Sequence, residues 1–241
     1  MNKPIIPNAA IDCVVFGFDL SSLKVLLVRA DGADDSTGLL ALPGGSIHDG
    51  ELIDQAAARL VNHLTGSRNV FMQQFYSLIT SRQPMPESRG DLMSDAVSSP
   101  GRLISIVYYA LIDLSQAPPD LVKTSRDAVW MPVGNLPSLI AGHAEMVRKA
   151  FAIIRSEIKQ KPLAFELLPV KFTLSQLQRL YEVVMGITYD KRNFRRKIMQ
   201  TNYVIPIIEK QTNVSHKPAR LFMFSRHMYE RNQADRFGFC V

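Results

Sequence analysis

Cysteine is almost absent from this sequence of 241 residues, which contains only Cys13 and Cys240. One lies in an apolar run and the other in the C-terminal tail, and no Cys/His cluster has the spacing of a metal site. A disulfide framework is therefore excluded. We expect two free thiols, and we expect neither a metal nor any other cofactor.

Long apolar runs are also absent, since no stretch of 18 or more apolar residues occurs. The N-terminal MNKPIIPNAA lacks both the basic region and the apolar core of a signal peptide. The sequence therefore predicts neither a membrane span nor export, and we expect a cytoplasmic protein.

A net positive charge is absent from the first two thirds of the chain and confined to the last third. From Lys161 onward there are 14 Lys and Arg against 6 Asp and Glu, a net charge of +8, within a chain whose net charge is +6. Such asymmetry indicates a segment that faces a polyanion, although charge that only keeps the surface soluble is the alternative. The length and the hydrophobic content of 46% fit two domains, each with its own core, which we place at residues 1–160 and 161–241.

The first part of the chain alternates between strand and helix patterns. Apolar residues at helical spacing predict helices over 51–65, which ends at Gly66, and over 142–159. The polar segment 82–101, rich in Pro, Ser and Gly, predicts a mobile surface loop. Runs of β-branched and aromatic residues predict strands at 11–18, 23–29, 39–42, 70–80, 103–112 and 128–132.

The last third has the order of a winged helix-turn-helix. Thr173 is a candidate N-cap for a helix that ends at Gly186, and Asp190 is a candidate N-cap for a second, basic helix. Two β-rich runs follow, at 203–208 and 220–224. Two close helices and a hairpin in this order predict the winged variant of the motif.

The second helix carries a dense set of cations. Phe194 and Ile198 lie four residues apart and share one face, whereas the rest of the helix is polar. A solvated surface is the ordinary interpretation of such a charge run, but the helix pair and the hairpin favour binding to double-stranded DNA. The candidate DNA-binding residues are Lys191, Arg192, Asn193, Arg195, Arg196 and Lys197, with Lys217 and Arg220 in the hairpin.

A different spacing surrounds the first predicted helix. Glu51 follows Gly45 by six residues, Arg59 follows Glu51 by eight, and Gly66 closes the helix. This spacing, with Val61, resembles the Nudix box. The resemblance implies an α/β sandwich with a mixed sheet between helices.

The metal-binding glutamates of the Nudix box are missing. Their places are occupied by Leu60, His63 and Leu64, which share one face of the helix. Mg²⁺ requires oxygen ligands, so we predict no metal site, no hydrolysis and no enzymatic activity.

The remaining Nudix-box residues have two interpretations. Glu51 and Arg59 either form an ion pair that orders the loop or bind a ligand. Gly44 and Gly45 either permit a tight turn of the backbone or border the ligand cleft.

The segment LLPVKFTLSQLQRLYEVVMGITYDKRNFRRKI (167–198) resembles the winged-helix domain of Nudix-related transcriptional regulators. The resemblance covers the chain from about Ile11 to about Tyr229. It implies a homodimer that binds a pseudo-palindromic operator under the control of a small ligand in the Nudix cleft. We expect a repressor, with an activator as the alternative.

The family has a nucleotide-responsive branch, which binds ADP-ribose and controls NAD metabolism, and a sugar-responsive branch, which includes an arabinose regulator. The strands at 11–18 and 105–112 look more similar to the sugar-responsive branch. We therefore expect a carbohydrate effector such as arabinose, with an ADP-ribose-like ligand as the alternative. By position in the fold, the ligand-binding candidates are Arg29, Gly44, Gly45, Glu51 and Arg59.

Two other classes of protein remain as alternatives. One is a divergent pyrophosphohydrolase in which Asp49 and Glu51 rebuild a metal site. The other is a ligand-binding or RNA-binding adaptor without promoter specificity. Turnover of nucleotides with Mg²⁺ would indicate the pyrophosphohydrolase. Failure to bind a specific operator would indicate the adaptor.

Overall fold

The computed structural model describes residues 8–29, 39–67, 69–82, 101–115, 128–140, 142–211 and 218–237. Its N-terminal unit contains β1 (Asn8–Phe18), β2 (Leu23–Arg29), β3 (Leu40–Ala41), β4 (Gly44–Ser46), α1 (Ile53–Thr65), β5 (Phe71–Arg82), β6 (Gly101–Asp113), β7 (Ala128–Pro132) and α2 (His143–Glu157). Its C-terminal unit contains a 3-10 helix (Pro162–Leu167), α3 (Leu174–Met185), α4 (Lys191–Met199), β8 (Val204–Lys210), β9 (Arg220–Phe224) and α5 (Arg226–Phe237).

The N-terminal unit is built on a mixed sheet of seven strands. Its main path is β3-β2-β1-β6-β5, with β4 paired to β1 and β7 paired to β2. β1 and β6 are parallel from Asn8↔Leu103 to Phe18↔Asp113, and the other pairs are antiparallel. Along its length β1 changes partner, from β2 at Phe16–Phe18 to β4 at Ala10–Asp12. This change of partner places β4 on the sheet, and with it the start of the loop before α1 (residues 47–52).

Helices cover both faces of the sheet. Ile11, Cys13 and Val15 of β1 pack in one buried cluster with α1, whereas Val14 and Phe16 belong to the cluster that contains α2. Side chains alternate across a strand, so a strand buried on both faces has a continuous apolar sequence. The predicted α/β sandwich, with its mixed sheet between helices, is thus confirmed.

The C-terminal unit has the predicted winged-helix order. Thr173 accepts a hydrogen bond from the backbone N–H of Gln176, and the side chain of Gln176 accepts one from the N–H of Thr173, which forms a capping box at α3. Gly186 ends α3 in the left-handed conformation, with φ of 69°. β8 and β9 form the wing, and Phe172 pairs with Phe222 by an additional bridge.

One apolar core continues from the N-terminal into the C-terminal unit. A single buried cluster contains Phe16 and Ile154 together with Leu177 and Phe222, because the 3-10 helix packs Leu167 and its apolar neighbours into the junction. The expected separate cores are therefore joined on this face of the sheet. The boundary between residues 160 and 161 stays a prediction.

Several expected bounds differ from the structure. β1 begins at Asn8 and α1 begins at Ile53, and the short β4 and the helix α5 were not predicted. The expected loop at 82–101 lies between the end of β5 and the start of β6, and residues 83–100 lie outside the described residues.

The two cysteines lie in different parts of the chain. Cys13 is a free, buried thiol whose pKa is raised above its ordinary range by burial, and Cys240 lies outside the described residues. Among the helices that the structure describes, none is both long and apolar enough to cross a bilayer.

Candidate functional site

The loop that leads into α1 is held against β1 by a close contact at Gly44. A Cβ atom at Gly44 would lie 2.6 Å from Oδ1 of Asp12 and 2.8 Å from the carbonyl oxygen of Ile11. Gly45 is the next residue of β4 and pairs with Ile11. Of the two interpretations of Gly44, the structure thus supports the need for a close backbone approach.

Glu51 and Arg59 form the predicted ion pair. Nε of Arg59 donates to Oε1 of Glu51 at 2.8 Å, and Nη2 donates to Oε2 at 2.8 Å and to the carbonyl oxygen of Ser46 at 2.9 Å. The backbone N–H of His48 donates to Oε2 at 3.0 Å. Chiefly because it accepts hydrogen bonds from Arg59, the carboxyl of Glu51 has its pKa lowered to about 2. The pair ties the loop to α1, but Arg59 has donors on more than one nitrogen, so a ligand contact remains compatible with it.

The three positions that would carry glutamates are not arranged as a metal site. Leu60 is only 2% exposed, in the core below α1, and Leu64 packs partly buried beside it. His63 is exposed. In the described ranges no group of three or more His, Cys, Asp or Glu side chains is placed to hold a metal ion. This face of α1 contributes apolar packing.

The five ligand-binding candidates do not all lie on one segment. Gly44 and Gly45 are in β4, and Glu51 and Arg59 bond to each other and to the carbonyl of Ser46. Arg29 is exposed at the end of β2, where it pairs with Leu40 of β3. The structure therefore unites four candidates around the loop before α1 and places Arg29 on the neighbouring strand pair.

A polar contact beside this loop was missed from the sequence. The hydroxyl of Tyr108 in β6 donates to the carboxylate of Asp54 in the first turn of α1. The same hydroxyl lies 3.5 Å from Oε1 of Gln74. Burial and the carboxylate of Asp54 raise the pKa of Tyr108 above its usual range. No spacing in the sequence links residues so far apart, so only the strand register reveals the contact.

The second candidate site is helix α4, which is anchored at its start and by one aromatic side chain. Oδ1 of Asp190 accepts a hydrogen bond from the backbone N–H of Asn193 at 2.8 Å, as an N-cap does. Phe194 is 8% exposed and packs against Tyr181 and Tyr189, with ring centroids 5.8 and 5.7 Å apart. These contacts fix the side of α4 that faces the protein.

The opposite side of α4 presents its charges to solvent. Arg196 donates from Nη2 to Oδ1 of Asn193 at 2.9 Å. Within the described parts of the chain, no carboxylate forms an ion pair with any cation of α4. The exposed residues are Lys191, Arg192, Asn193, Arg195, Arg196 and Lys197.

Of the two DNA-binding cations that the sequence predicts in the hairpin, the structure describes one. Arg220 is exposed at the start of β9, opposite Lys210 of β8. Lys217 lies outside the described residues. Anchored on one side and cationic on the other, α4 presents a surface suited to a polyanion, and Arg220 adds an exposed cation at the loop end of the wing.

Fold and sites together define a class: a Nudix-type α/β unit followed by a winged helix whose second helix is basic. The NUDIX domain model matches residues 7–150, which is more than half of the chain. The model described as the NrtR DNA-binding winged helix domain matches residues 164–224. The chain therefore belongs to the NUDIX domain family, and its last third carries the match to the winged-helix model.

Comparison with known proteins agrees over nearly the whole chain. The ADPR responsive transcriptional repressor NtrR of Acinetobacter baylyi is 24% identical over 231 residues, which cover 94% of this chain and 85% of the relative. NrtR of Shewanella oneidensis, solved in complex with a 27mer DNA, is 24% identical with a TM-score of 0.69, over 92% of this chain and 95% of that one. A MutT/nudix family protein of Enterococcus faecalis is 20% identical with a TM-score of 0.61, over 92% and 90%. These similarities confirm the fold, and they give no support to the sugar-responsive branch.

Proposed function

We propose that the protein is a ligand-controlled transcriptional repressor whose helix α4 binds the major groove of operator DNA. The observation that carries the proposal is the exposed cationic side of α4, fixed by the Asp190 cap and by buried Phe194. Lys and Arg release counterions from phosphates, and Arg and Asn read guanine and adenine edges. The relative from A. baylyi is named a transcriptional repressor, which supports the same role.

The effector that we propose is ADP-ribose or a related nucleotide. It replaces the sugar that the strand sequences at 11–18 and 105–112 favoured. The name of the A. baylyi relative, an ADPR responsive repressor, supports the nucleotide. The planar guanidinium group of arginine can also donate paired hydrogen bonds to the oxygens of a pyrophosphate. We assign the site to the loop before α1, with Gly44, Gly45, Glu51 and Arg59, and with Arg29 at the end of β2.

We further propose that this domain binds its nucleotide without hydrolysing it. The apolar packing of Leu60 and Leu64 leaves no oxygen ligands on that face of α1. Incubation with ADP-ribose and Mg²⁺ or Mn²⁺ should release no AMP. Turnover that the Glu51→Gln variant abolishes would instead favour the alternative of a divergent pyrophosphohydrolase.

The DNA-binding proposal is tested by fluorescence anisotropy with the labelled region upstream of the protein's own gene. Arg195→Ala should weaken binding by about 1 to 3 kcal/mol if the contact is to a base. Lys159→Ala removes an exposed cation outside the winged helix and is the matched control. Equal effects of the two variants would contradict a specific role for α4.

The same assay tests the effector, the partner and the oligomeric state. Raised salt should weaken DNA binding steeply, and ADP-ribose should change the affinity where arabinose does not. We propose a homodimer on a pseudo-palindromic site, so the stoichiometry should be two chains per operator. Preference for a single-stranded RNA competitor would favour the adaptor alternative.

A further inference from the structure

An apolar cavity of about 290 Å³ lies between the two units of the chain. Its walls come from four places: Leu23 of β2, Leu136 after β7, Phe151 of α2 and Val183 of α3. Three of these belong to the N-terminal unit, and Val183 belongs to the winged helix. The volume is near the lower end of the range of about 300 to 1,000 Å³ that is usual for small-molecule sites.

The cavity is separate from the loop that carries the proposed nucleotide site. Leu23 belongs to the buried cluster on the α2 face of the sheet, whereas Leu60 and Val61 of α1 belong to the cluster on the other face. The sheet itself lies between them. A molecule in the cavity would therefore be a second ligand and would not compete for the loop before α1.

The lining determines the kind of ligand that fits. Its surface is mostly aliphatic and aromatic, and its one charged lining residue is Arg148 of α2, whose side chain is 72% exposed. Nη2 of Arg148 pairs with Oε2 of Glu145 at 2.5 Å, and a guanidinium has five donor hydrogens, so donors remain for a second anion. An apolar body with one anionic group satisfies both parts of the lining.

We propose that this cavity is a binding site for a small amphipathic anion, such as a medium-chain carboxylate. The carboxylate meets Arg148, and the apolar part packs between β2, α2 and α3. On the winged-helix side, Tyr181 of α3 packs against Phe194 of α4, with ring centroids 5.8 Å apart. Occupancy of the cavity therefore biases the position of α4 relative to the N-terminal unit, a consequence that rests on the proposed DNA-binding function.

Binding is tested on the full chain by calorimetric titration with octanoate, and with 1-octanol and acetate as the neutral and the short-chain probes. Octanoate should bind saturably, 1-octanol more weakly and acetate not measurably. Arg148→Met keeps an apolar stem but removes the charge, and should weaken octanoate binding roughly tenfold while leaving 1-octanol unchanged. Lack of saturable octanoate binding to the wild-type protein would overturn the site.

A second pair of variants tests the location. Val183→Phe fills the cavity from α3 and should abolish binding of octanoate and of 1-octanol. Val170→Phe is the same exchange at a residue that is 79% exposed and does not line the cavity, and it should change neither. Circular dichroism verifies that both variants fold. The Arg148→Met variant, at the surface, tests the site without any change to the core. Octanoate binding that survives in folded Val183→Phe would place the ligand elsewhere and overturn the proposal.

The coupling to α4 has its own measurement. Saturating octanoate should shift the DNA affinity of the wild-type protein by about fivefold or more, and should have no effect on Val183→Phe. An unchanged DNA affinity would overturn the coupling. Absence of DNA binding by the wild-type protein without octanoate would contradict the proposed function, and the titration would still decide whether the site exists.

Discussion

At Gly44 the absence of a side chain allows β4 to approach β1 closely. Since a Cβ there would meet Asp12 Oδ1 at 2.6 Å and backbone at 2.8 Å, Gly44→Ala should lower the free energy of unfolding by about 1 to 3 kcal/mol. Gly134→Ala is the control, because a Cβ at Gly134 has no atom within 4 Å. Urea unfolding measures both. Equal stability of the two variants would contradict the close approach of β4 to β1.

The ion pair of Glu51 predicts a dependence on pH. Arg59 holds the pKa of this carboxyl at about 2, below its ordinary 4.5, so ionised Glu51 stabilises the folded state above pH 4.5. That stabilisation is lost as the pH falls from 4.5 toward 2. Glu51→Gln should be about 1 kcal/mol less stable than wild type at pH 7, by urea unfolding, and the difference should vanish across this range. A difference that is the same at every pH would exclude the ionic origin.

Single residues also show how far the sequence could be interpreted. The spacing of Glu51 and Arg59 indicated a functional or structural pair, but only the folded structure shows that Nε and Nη2 of Arg59 both bond to the carboxylate. The contact of Tyr108 with Asp54 depends on the register of β6 against the rest of the sheet, which no local pattern encodes.

At the scale of elements, α4 depends on the N-cap residue that precedes it. The carboxylate of Asp190 accepts from the N–H of Asn193, so Asp190→Ala should cost about 1 kcal/mol of stability and weaken DNA binding. Asp190→Asn keeps an accepting oxygen and removes a negative charge beside the cations. It should retain stability and bind DNA at least as tightly as wild type. Thermal unfolding and anisotropy measure the two effects, and equal losses in both variants would show that the cap has no part in them.

The elements that the sequence predicted are those with local signals. α3 and α4 directly follow the N-cap residues Thr173 and Asp190, and α3 has apolar residues at helical spacing. α5 lacks a clear apolar stripe, and besides the bonds that Met228 and Tyr229 donate to nearby Ser225, its described hydrogen bonds reach distant segments. Tyr229 donates to the carbonyl of Gln160, and Asn232 donates to that of Thr201. Such a helix depends on tertiary contacts that a single sequence does not reveal.

At the scale of the whole molecule, the same packing that joins the units connects the sheet to helices α3 and α4. Nη2 of Arg155 in α2 donates to the carbonyl of Met185 at 2.8 Å, and the hydroxyl of Tyr181 donates to that of Ile158 at 3.1 Å. Nε of Arg179 donates to the carbonyl of Ser21 at 3.1 Å. Bonds at the end of α2 and at the turn after β1 therefore join α3 to the N-terminal unit at two places, and we expect movement of the sheet to be transmitted to α3.

The continuous core predicts that both units unfold together. Leu177 of α3 is fully buried in the shared cluster, whereas Trp130, the one tryptophan in the sequence, lies in β7 of the N-terminal unit. Leu177→Ala should cost about 2 to 5 kcal/mol, and the transition of Trp130 fluorescence should shift as far as that of the helical circular dichroism signal. Ile208→Ala, at a fully exposed position of the wing, is the control and should shift neither. A Trp130 transition that stays at its wild-type midpoint while the helical signal moves would show that the units unfold independently, and transmission through the shared core would then be excluded.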